Sequence, residues 1–503
     1  MLRRTIIAAS LVLASLSAAA ANYYVVVPFK KAAATQTETP QASPPPVAPA
    51  ISVSLNQYTL PAGTVGSAYS YDFKSLLTVT GDSAFDANQA TFSLASGALP
   101  AGLSLSQAGV VSGTPTTKNI TGDNFQVLAT YKTKTGQQAY TIVVNGVVMQ
   151  VSGVAAGWNH TCAVTTAGGV KCWGQNTYGQ LGNNSTTDSV TPVAVSGLSG
   201  VSSVHLGARH SCAWLTDGQV KCWGSAVSGE IGDGTTVNKS TPVSPYNLGA
   251  VVSLAVGANH TCAAPAAGGV YCWGSNASRQ VGDGSFAGAI AYSPRSVTGT
   301  GVGVGFKVGA GLSHSCYTRV GYVSCWGGGA QGQLGNGTTA QQFAPTQVSN
   351  LTDAVEVSGG YGNTTCVLTS SNGVKCWGRN SEGELGTGSI STYSLTPVQV
   401  SGLTSGVASL SVGQYHVCAR LSSGGVKCWG SNSYQQLTSA VGSYTATPTA
   451  IAGLAGTVTG VSAGYRSTCV NTTNGAQCWG DNTYGQLGDG TTNSSGAPVT
   501  VGQ

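Results

Sequence analysis

Residues 160–174 read HTCAVTTAGGVKCWG: a histidine, two cysteines ten positions apart, a glycine pair between them and a tryptophan after the second. In isolation three readings compete for such a stretch: a thiol nucleophile beside a base, a pair of metal ligands, or a stapled turn. Repetition decides. The stretch returns as HSCAWLTDGQVKCWG (210–224), HTCAAPAAGGVYCWG (260–274), HSCYTRVGYVSCWG (314–327), TTCVLTSSNGVKCWG (364–378), HVCARLSSGGVKCWG (416–430) and STCVNTTNGAQCWG (467–480). The first cysteines stand at 162, 212, 262, 316, 366, 418 and 469, a period of 50 to 54 residues. A fixed period of that size signals a solenoid, propeller or array.

Each period holds four short strand candidates. In the second period these lie near VSSVHLG, HSCAWLT, QVKCWGS and TPVSP, the middle pair joined by a DG turn that favours a tight hairpin. Four strands per period, seven times over, predict an all-β, seven-bladed β-propeller at 148–503. The array begins at VSGVAAGWNH, read as the second strand of a blade, and ends after GAPVTV, read as the strand that opens the others. The C-terminal strand is therefore expected to complete the first blade and seal the ring.

The chain has 503 residues, of which only 7% are charged against roughly 25% in ordinary soluble proteins. A 41% hydrophobic share is still enough for a packed core. The net charge of +5 comes from scattered residues without a basic run, so no nucleic-acid partner is expected. At the start, Arg3 and Arg4, the apolar run Thr5–Leu16 and Ala19-Ala20-Ala21 read as a signal peptide over 1–21, cleaved before Asn22. No later run approaches the ~18 apolar residues that span a bilayer, so no transmembrane segment is expected after cleavage. The expected location is secreted or cell surface, as a monomer. Residues 22–50 are a spacer rich in Pro, Ala and Thr.

Export changes how the cysteines read. There are 14, an even number, none before Cys162. In an oxidising compartment an even, regularly spaced set means disulfides before metal or catalysis. Spacings of ten or nine can set the two residues opposite each other on a hairpin, with Cα atoms roughly 4.5–5.5 Å apart. The expected pairs are Cys162–Cys172, Cys212–Cys222, Cys262–Cys272, Cys316–Cys325, Cys366–Cys376, Cys418–Cys428 and Cys469–Cys478, each contributing roughly 3 kcal/mol. Zinc needs four close ligands, and one repeat offers three at most. A nucleophile needs one activated copy with an orienting base, which seven equal copies argue against. No catalytic residue, metal or cofactor is expected. His160, His210, His260, His314 and His416 lie two residues before a cysteine and share its strand face, so they are expected to bond the backbone of an adjacent loop. Tyr178, Tyr434 and Tyr484 follow a blade tryptophan by five positions in a long loop, where propeller binding sites usually reside. They are candidate binding residues.

The unit G-x-x-H-[TS]-C-A-[VL], then G-x-V-K-C-W-G-x-N-x-x-G-Q-L-G-[DN]-G, then T-P-V, resembles the regulator of chromosome condensation repeat, whose members form seven-bladed propellers. The resemblance covers about 355 residues. Thr364 and Ser467 replace the histidine, GGYGNTTC has an extra residue, and YQQLTSAVG lacks the loop glycines, so less regular loops are expected there. The founding member is a nuclear exchange factor for a small GTPase, acting through an inserted wedge for which no period here is long enough. Secreted bacterial members of this type bind other proteins.

Ahead of the array, residues 51–147 alternate as strands of a β-sandwich. Leu99-Pro100-Ala101-Gly102-Leu103 followed by Gly113-Thr114-Pro115 resembles the Ig-like, cadherin-like modules of bacterial surface proteins. That resemblance implies a spacer or adhesion module. The whole reads as an exported, non-catalytic platform for an extracellular protein, with a glycan-binding surface component as the alternative and exchange-factor activity as the lesser one.

Overall fold

Each period alternates apolar residues over four runs separated by turn residues, and each becomes a four-stranded antiparallel sheet. The computed structural model describes residues 49–502 apart from 147, 286, 287 and 289. The signal segment 1–21 and nearly all of the spacer 22–50 lie outside the described residues. In the first repeat the strands are Val151–Ala156, His160–Thr165, Val170–Gly174 and Ser189–Ala194, paired in chain order. Seven such sheets follow one another, and their first strands together wall a central channel.

The middle hairpin sets Cys162 opposite Cys172, with Cα atoms 4.0 Å apart and the sulfurs joined. The pairs separated by nine residues keep the same opposition, Cys316 to Cys325 and Cys469 to Cys478, because the turn is one residue shorter. These disulfides lie inside the ring. Cys162 and Cys172 share a buried apolar cluster with Trp223 of the next repeat, and all seven of these tryptophans have no exposed surface.

The expectation of an exchanged strand is corrected. Ser495–Thr500 pairs with Gly475–Gly480 of its own repeat, Cys478 lying opposite Val499. Val151–Ala156 is the edge strand at the channel, first in its sheet and not second. Pairing each strand with its sequence neighbour costs the least loop-closure entropy, so every blade completes itself.

The seal is made by loops. Between the third and fourth strands, the backbone carbonyl of Gln180 accepts from Ser211 Oγ (2.9 Å) and Trp223 Nε1 (2.8 Å) of the next blade. The pattern recurs around the ring, and in the last repeat Gln486 O accepts from Thr161 Oγ1 (2.8 Å) and Trp173 Nε1 (2.9 Å) of the first. One antiparallel bridge, Val148 to Gly502, accompanies it. The loop glycine is dictated by this contact: at Gly488, with φ +69°, a Cβ would lie 2.6 Å from Trp173 Nε1. Where the sixth repeat has Thr438 at that position, Trp479 Nε1 bonds Leu437 O (3.1 Å) in place of Gln436 O. This is the local irregularity of YQQLTSAVG.

The Ig-like module builds one four-stranded sheet from Gly63–Thr64, Thr91–Gly97, Asn119–Tyr131 and Lys134–Asn145. A three-stranded sheet of Tyr69–Asp72, Leu103–Leu105 and Val110–Gly113 lies with it around a core that includes Phe73, Phe125 and Tyr140. Its two signature turns are zipped together, Thr114 N donating to Gly102 O (3.1 Å) and Thr116 N to Ala101 O (2.9 Å). Lys118 Nζ reaches from this module to Asp489 O of the last blade (2.6 Å).

Candidate interaction face

The histidines belong to the blade interfaces. Their partner is a hydroxyl of the next blade and not loop backbone, which corrects the expectation. His160 Nε2 lies 2.9 Å from Ser211 Oγ, His210 Nε2 3.0 Å from Thr261 Oγ1 and His314 Nε2 2.8 Å from Thr365 Oγ1, with His260 and His416 alike. Ser211 and Thr365 already donate their single proton to loop carbonyls, so Nε2 is the donor to the hydroxyl oxygen. The Nδ1 atoms of all five are buried without a partner among the described residues. Burial accordingly pushes the imidazoles down, to about 3 for His160, His210, His314 and His416 and to about 4 for His260.

The unfolded value is about 6.5, so between pH 6.5 and 3–4 the unfolded chain binds more protons than the folded one. Stability is therefore intact above pH 6.5 and falls with pH below it, by at most about 1.4 kcal/mol per unit for each histidine. The guanidinium unfolding midpoint is expected to drop between pH 6.5 and 4.5, with a shallower slope in His210→Gln. Parallel slopes would refute the assignment.

The extra residue of GGYGNTTC also has a defined place. Tyr361 enters the channel, and its phenol oxygen lies 3.0 Å from Ala156 O and 2.6 Å from Leu206 O on the first two blades. Burial raises its pKa. The channel wall also carries His205 and Glu356.

Because strands alternate in direction, the turn after each first strand and the loop after each third strand emerge on one face of the ring. In G-x-x-H the glycine and histidine are locked inward by Gly157 N donating to His160 O (2.8 Å), and the two-residue turn between them lies at that face. They are Trp158-Asn159 in the first repeat, Ala208-Arg209 in the second and Tyr465-Arg466 in the seventh. The loop tyrosines are fixed from behind: Gln180 Oε1 accepts from Tyr178 N (2.8 Å), and Gln486 Oε1 from Tyr484 N (2.9 Å).

These side chains converge. Tyr178, Tyr484, Trp158, Tyr465, Arg209 and Arg466 line one hollow of 430 Å³ formed by the seventh, first and second repeats. Trp158 and Tyr465 stack with centroids 4.8 Å apart. The Arg209 guanidinium lies 4.9 Å from the Tyr178 centroid. Tyr434 is outside the hollow and stacks with Arg466 from the sixth repeat at 4.0 Å. Of the three candidate tyrosines, Tyr178 and Tyr484 line the hollow, and sequence reasoning missed Trp158, Arg209, Tyr465 and Arg466 beside them. Their signal was present as the variable pair inside an otherwise regular G-x-x-H. Among the described residues no three His, Cys, Asp or Glu side chains group as a metal site, and no helix is long and apolar enough to cross a membrane.

Two models of the Regulator of chromosome condensation (RCC1) repeat match the array. One covers 151–180, 251–280, 354–384, 407–436 and 458–486, the other 167–214, 217–264, 321–367 and 373–420. Together they take in more than half of the chain. The family described as "Putative Ig domain" matches 22–145. Among curated proteins, the chain is 34% identical over 135 residues to Probable E3 ubiquitin-protein ligase HERC6 of Homo sapiens, covering 26% of this chain and 13% of that protein. It is 30% identical over 126 residues to RCC1 domain-containing protein RUG3, mitochondrial, of Arabidopsis thaliana, covering 23% and 28%. The chain therefore spans less than a third of either relative. Among solved structures it is similar to Prp20p from Saccharomyces cerevisiae, with TM-score 0.58, 19% identity and 70% and 87% of the two chains covered. It is similar also to human WBSCR16, with TM-score 0.57, 22% identity and coverage of 65% and 87%. At those identities the likeness is one of fold. With repeat, blade and loop in agreement, the chain belongs to the Regulator of chromosome condensation (RCC1) repeat family, an all-β propeller family that can mediate protein–protein interaction, here preceded by an Ig-like module.

Proposed function

We propose that this chain is an exported, non-catalytic binding protein whose propeller presents the Tyr–Trp–Arg hollow to a protein outside the cell. One observation carries the reading: aromatic and arginine side chains from three separate repeats converge at positions the blade packing leaves free. Tyr, Trp and Arg are the residues that dominate binding energy at protein interfaces. The titratable groups that repeat, the histidines, are buried between blades, where they hold architecture. Prp20p, a propeller of the same fold, is described by its binding to Gsp1p and histones; the analogy is one of platform, since fold does not carry function.

The purified, oxidised full chain is expected to capture a partner from surface and secreted extracts. Tyr178→Ala and Tyr484→Ala should each weaken capture ~10-fold or more, as interface anchors do. Capture untouched by both substitutions would sink the reading. Loss of capture in free sugar, with the same tyrosine dependence, would favour a glycan-binding surface component instead. Accelerated nucleotide release from a small GTPase would point to exchange activity.

A further inference from the structure

We infer that the hollow binds an acidic, carboxylate-bearing segment of the partner protein. The inference rests on the reading above for the choice of face, and on the charges and free donors of the hollow for its chemistry. Arg379 and Arg295 are neutralised by Glu382, Glu384 and Asp283. Arg209 and Arg466 form no salt bridge among the described residues, Arg209 having only the neighbouring Glu230 carboxylate within electrostatic reach, and both rest on aromatic rings. Arg466 lies 4.0 Å from the Tyr434 centroid and 4.5 Å from that of Tyr465. Stacking on a ring fixes a guanidinium in place while leaving its N–H edge free for a planar, bidentate acceptor.

Two residues that line the hollow also carry a polar atom without a partner. Trp158 Nε1 and Arg466 Nε are buried and bond nothing among the described residues, and a buried donor left without a partner costs about 1–3 kcal/mol. Against these stands one carboxylate in the lining, Asp481, whose Oδ1 accepts from Thr483 N (3.1 Å) and Thr483 Oγ1 (2.6 Å). The lining therefore carries two guanidinium groups against one engaged acid, and the nearby Glu230 carboxylate is itself engaged by Ser228 N (2.8 Å). The two arginines come from the second and seventh repeats with the Trp158 turn of the first between them. An extended peptide carrying more than one Asp or Glu matches that layout, with its intervening side chains against the aromatic walls.

The test is selection from a random peptide display library on the full, oxidised chain and on an Arg209→Gln/Arg466→Gln variant. Arg209 is exposed, and an unchanged near-UV circular dichroism spectrum will certify the variant's fold. Asp and Glu are expected to be enriched several-fold in peptides selected on the parent, and the enrichment is expected to vanish on the variant. The best peptide should lose at least ~10-fold in affinity with either single substitution, as truncated charge pairs do, and should weaken as salt rises. No acidic enrichment, or enrichment that survives loss of both arginines, overturns the inference. So does a heparin-derived oligosaccharide that binds through the same arginines more tightly than every selected peptide. If partner capture depends on Tyr178 and Tyr484 but acidic enrichment is absent, the interaction face stands and this inference alone fails. If acidic peptides bind through the arginines while capture ignores the tyrosines, the proposed function alone fails.

Discussion

Refolded from guanidinium in the presence of reductant, the propeller is expected not to form, while the Ig-like module recovers its structure. Each disulfide closes a short hairpin loop, worth ~3 kcal/mol in the chain-entropy model, and seven of them approach ~20 kcal/mol. That exceeds the roughly 5–15 kcal/mol by which a typical domain is stable, so loss of all seven is expected to leave the propeller unfolded. The Ig-like module contains no cysteine and depends on none of this. Native protein treated with the same reductant should hold out, because the cysteines have no exposed surface and sit against the next blade's tryptophan. The readout is clean: all nine tryptophans lie in the repeat region, so the indole near-UV signal reports the propeller alone. A native-like indole signal in a sample whose mass shows 14 free thiols would overturn the expectation.

Trp173→Ala is expected to open the ring at its seam and cost about 3–5 kcal/mol, the range for emptying a buried tryptophan site, plus the lost bond to Gln486 O. Trp173 is fully buried among Cys469, Cys478 and Leu487 of the seventh repeat. Successive blades are joined by backbone, but the seventh and first are held by side-chain packing, by the Gln486 bonds and by the Val148–Gly502 bridge. Removing the indole therefore attacks the one interface where no chain connection limits separation of the parts. Trp223→Ala is the control, with a comparable local cost at an interface that the chain still tethers. Hydrogen exchange should show selective loss of protection in 151–165 and 458–480 for Trp173→Ala and not for Trp223→Ala. Equal patterns in the two variants would mean that loop bonds do not close the ring.

What could be read from the chain follows from locality. A hairpin that sets two residues opposite each other, a turn that demands glycine and a period that counts blades all depend on residues close in sequence. The loop tyrosines were legible for the same reason, since Tyr178, Tyr434 and Tyr484 mark one position in a repeating loop. Read alone, His160 offered no way to find Ser211, because the distance between them is set by how far one blade is rotated against the next. Tyr361 was visible only as a surplus residue in GGYGNTTC. That it crosses the channel to carbonyls of the first two blades depends on the radius of the closed ring.

The strand exchange failed on a related point. The same seven copies of each strand fit a ring sealed by a shared strand or by self-contained blades, and sequence counts alone cannot separate the two. The decision came from the long loop, whose Gln or Glu carbonyl reaches the next blade's indole and so supplies the interblade bonds without moving a strand. By itself, then, the sequence determined the fold class, the repeat and the hairpin cysteines, because these follow from local periodicity and steric demands on single residues. Only the tertiary structure decided how the ring closes, what each histidine bonds, and that Trp158, Arg209, Tyr465 and Arg466 meet the loop tyrosines in one hollow. Those contacts join residues as far apart in the chain as its first and last repeats, and curvature accumulated over all seven blades is what brings them together.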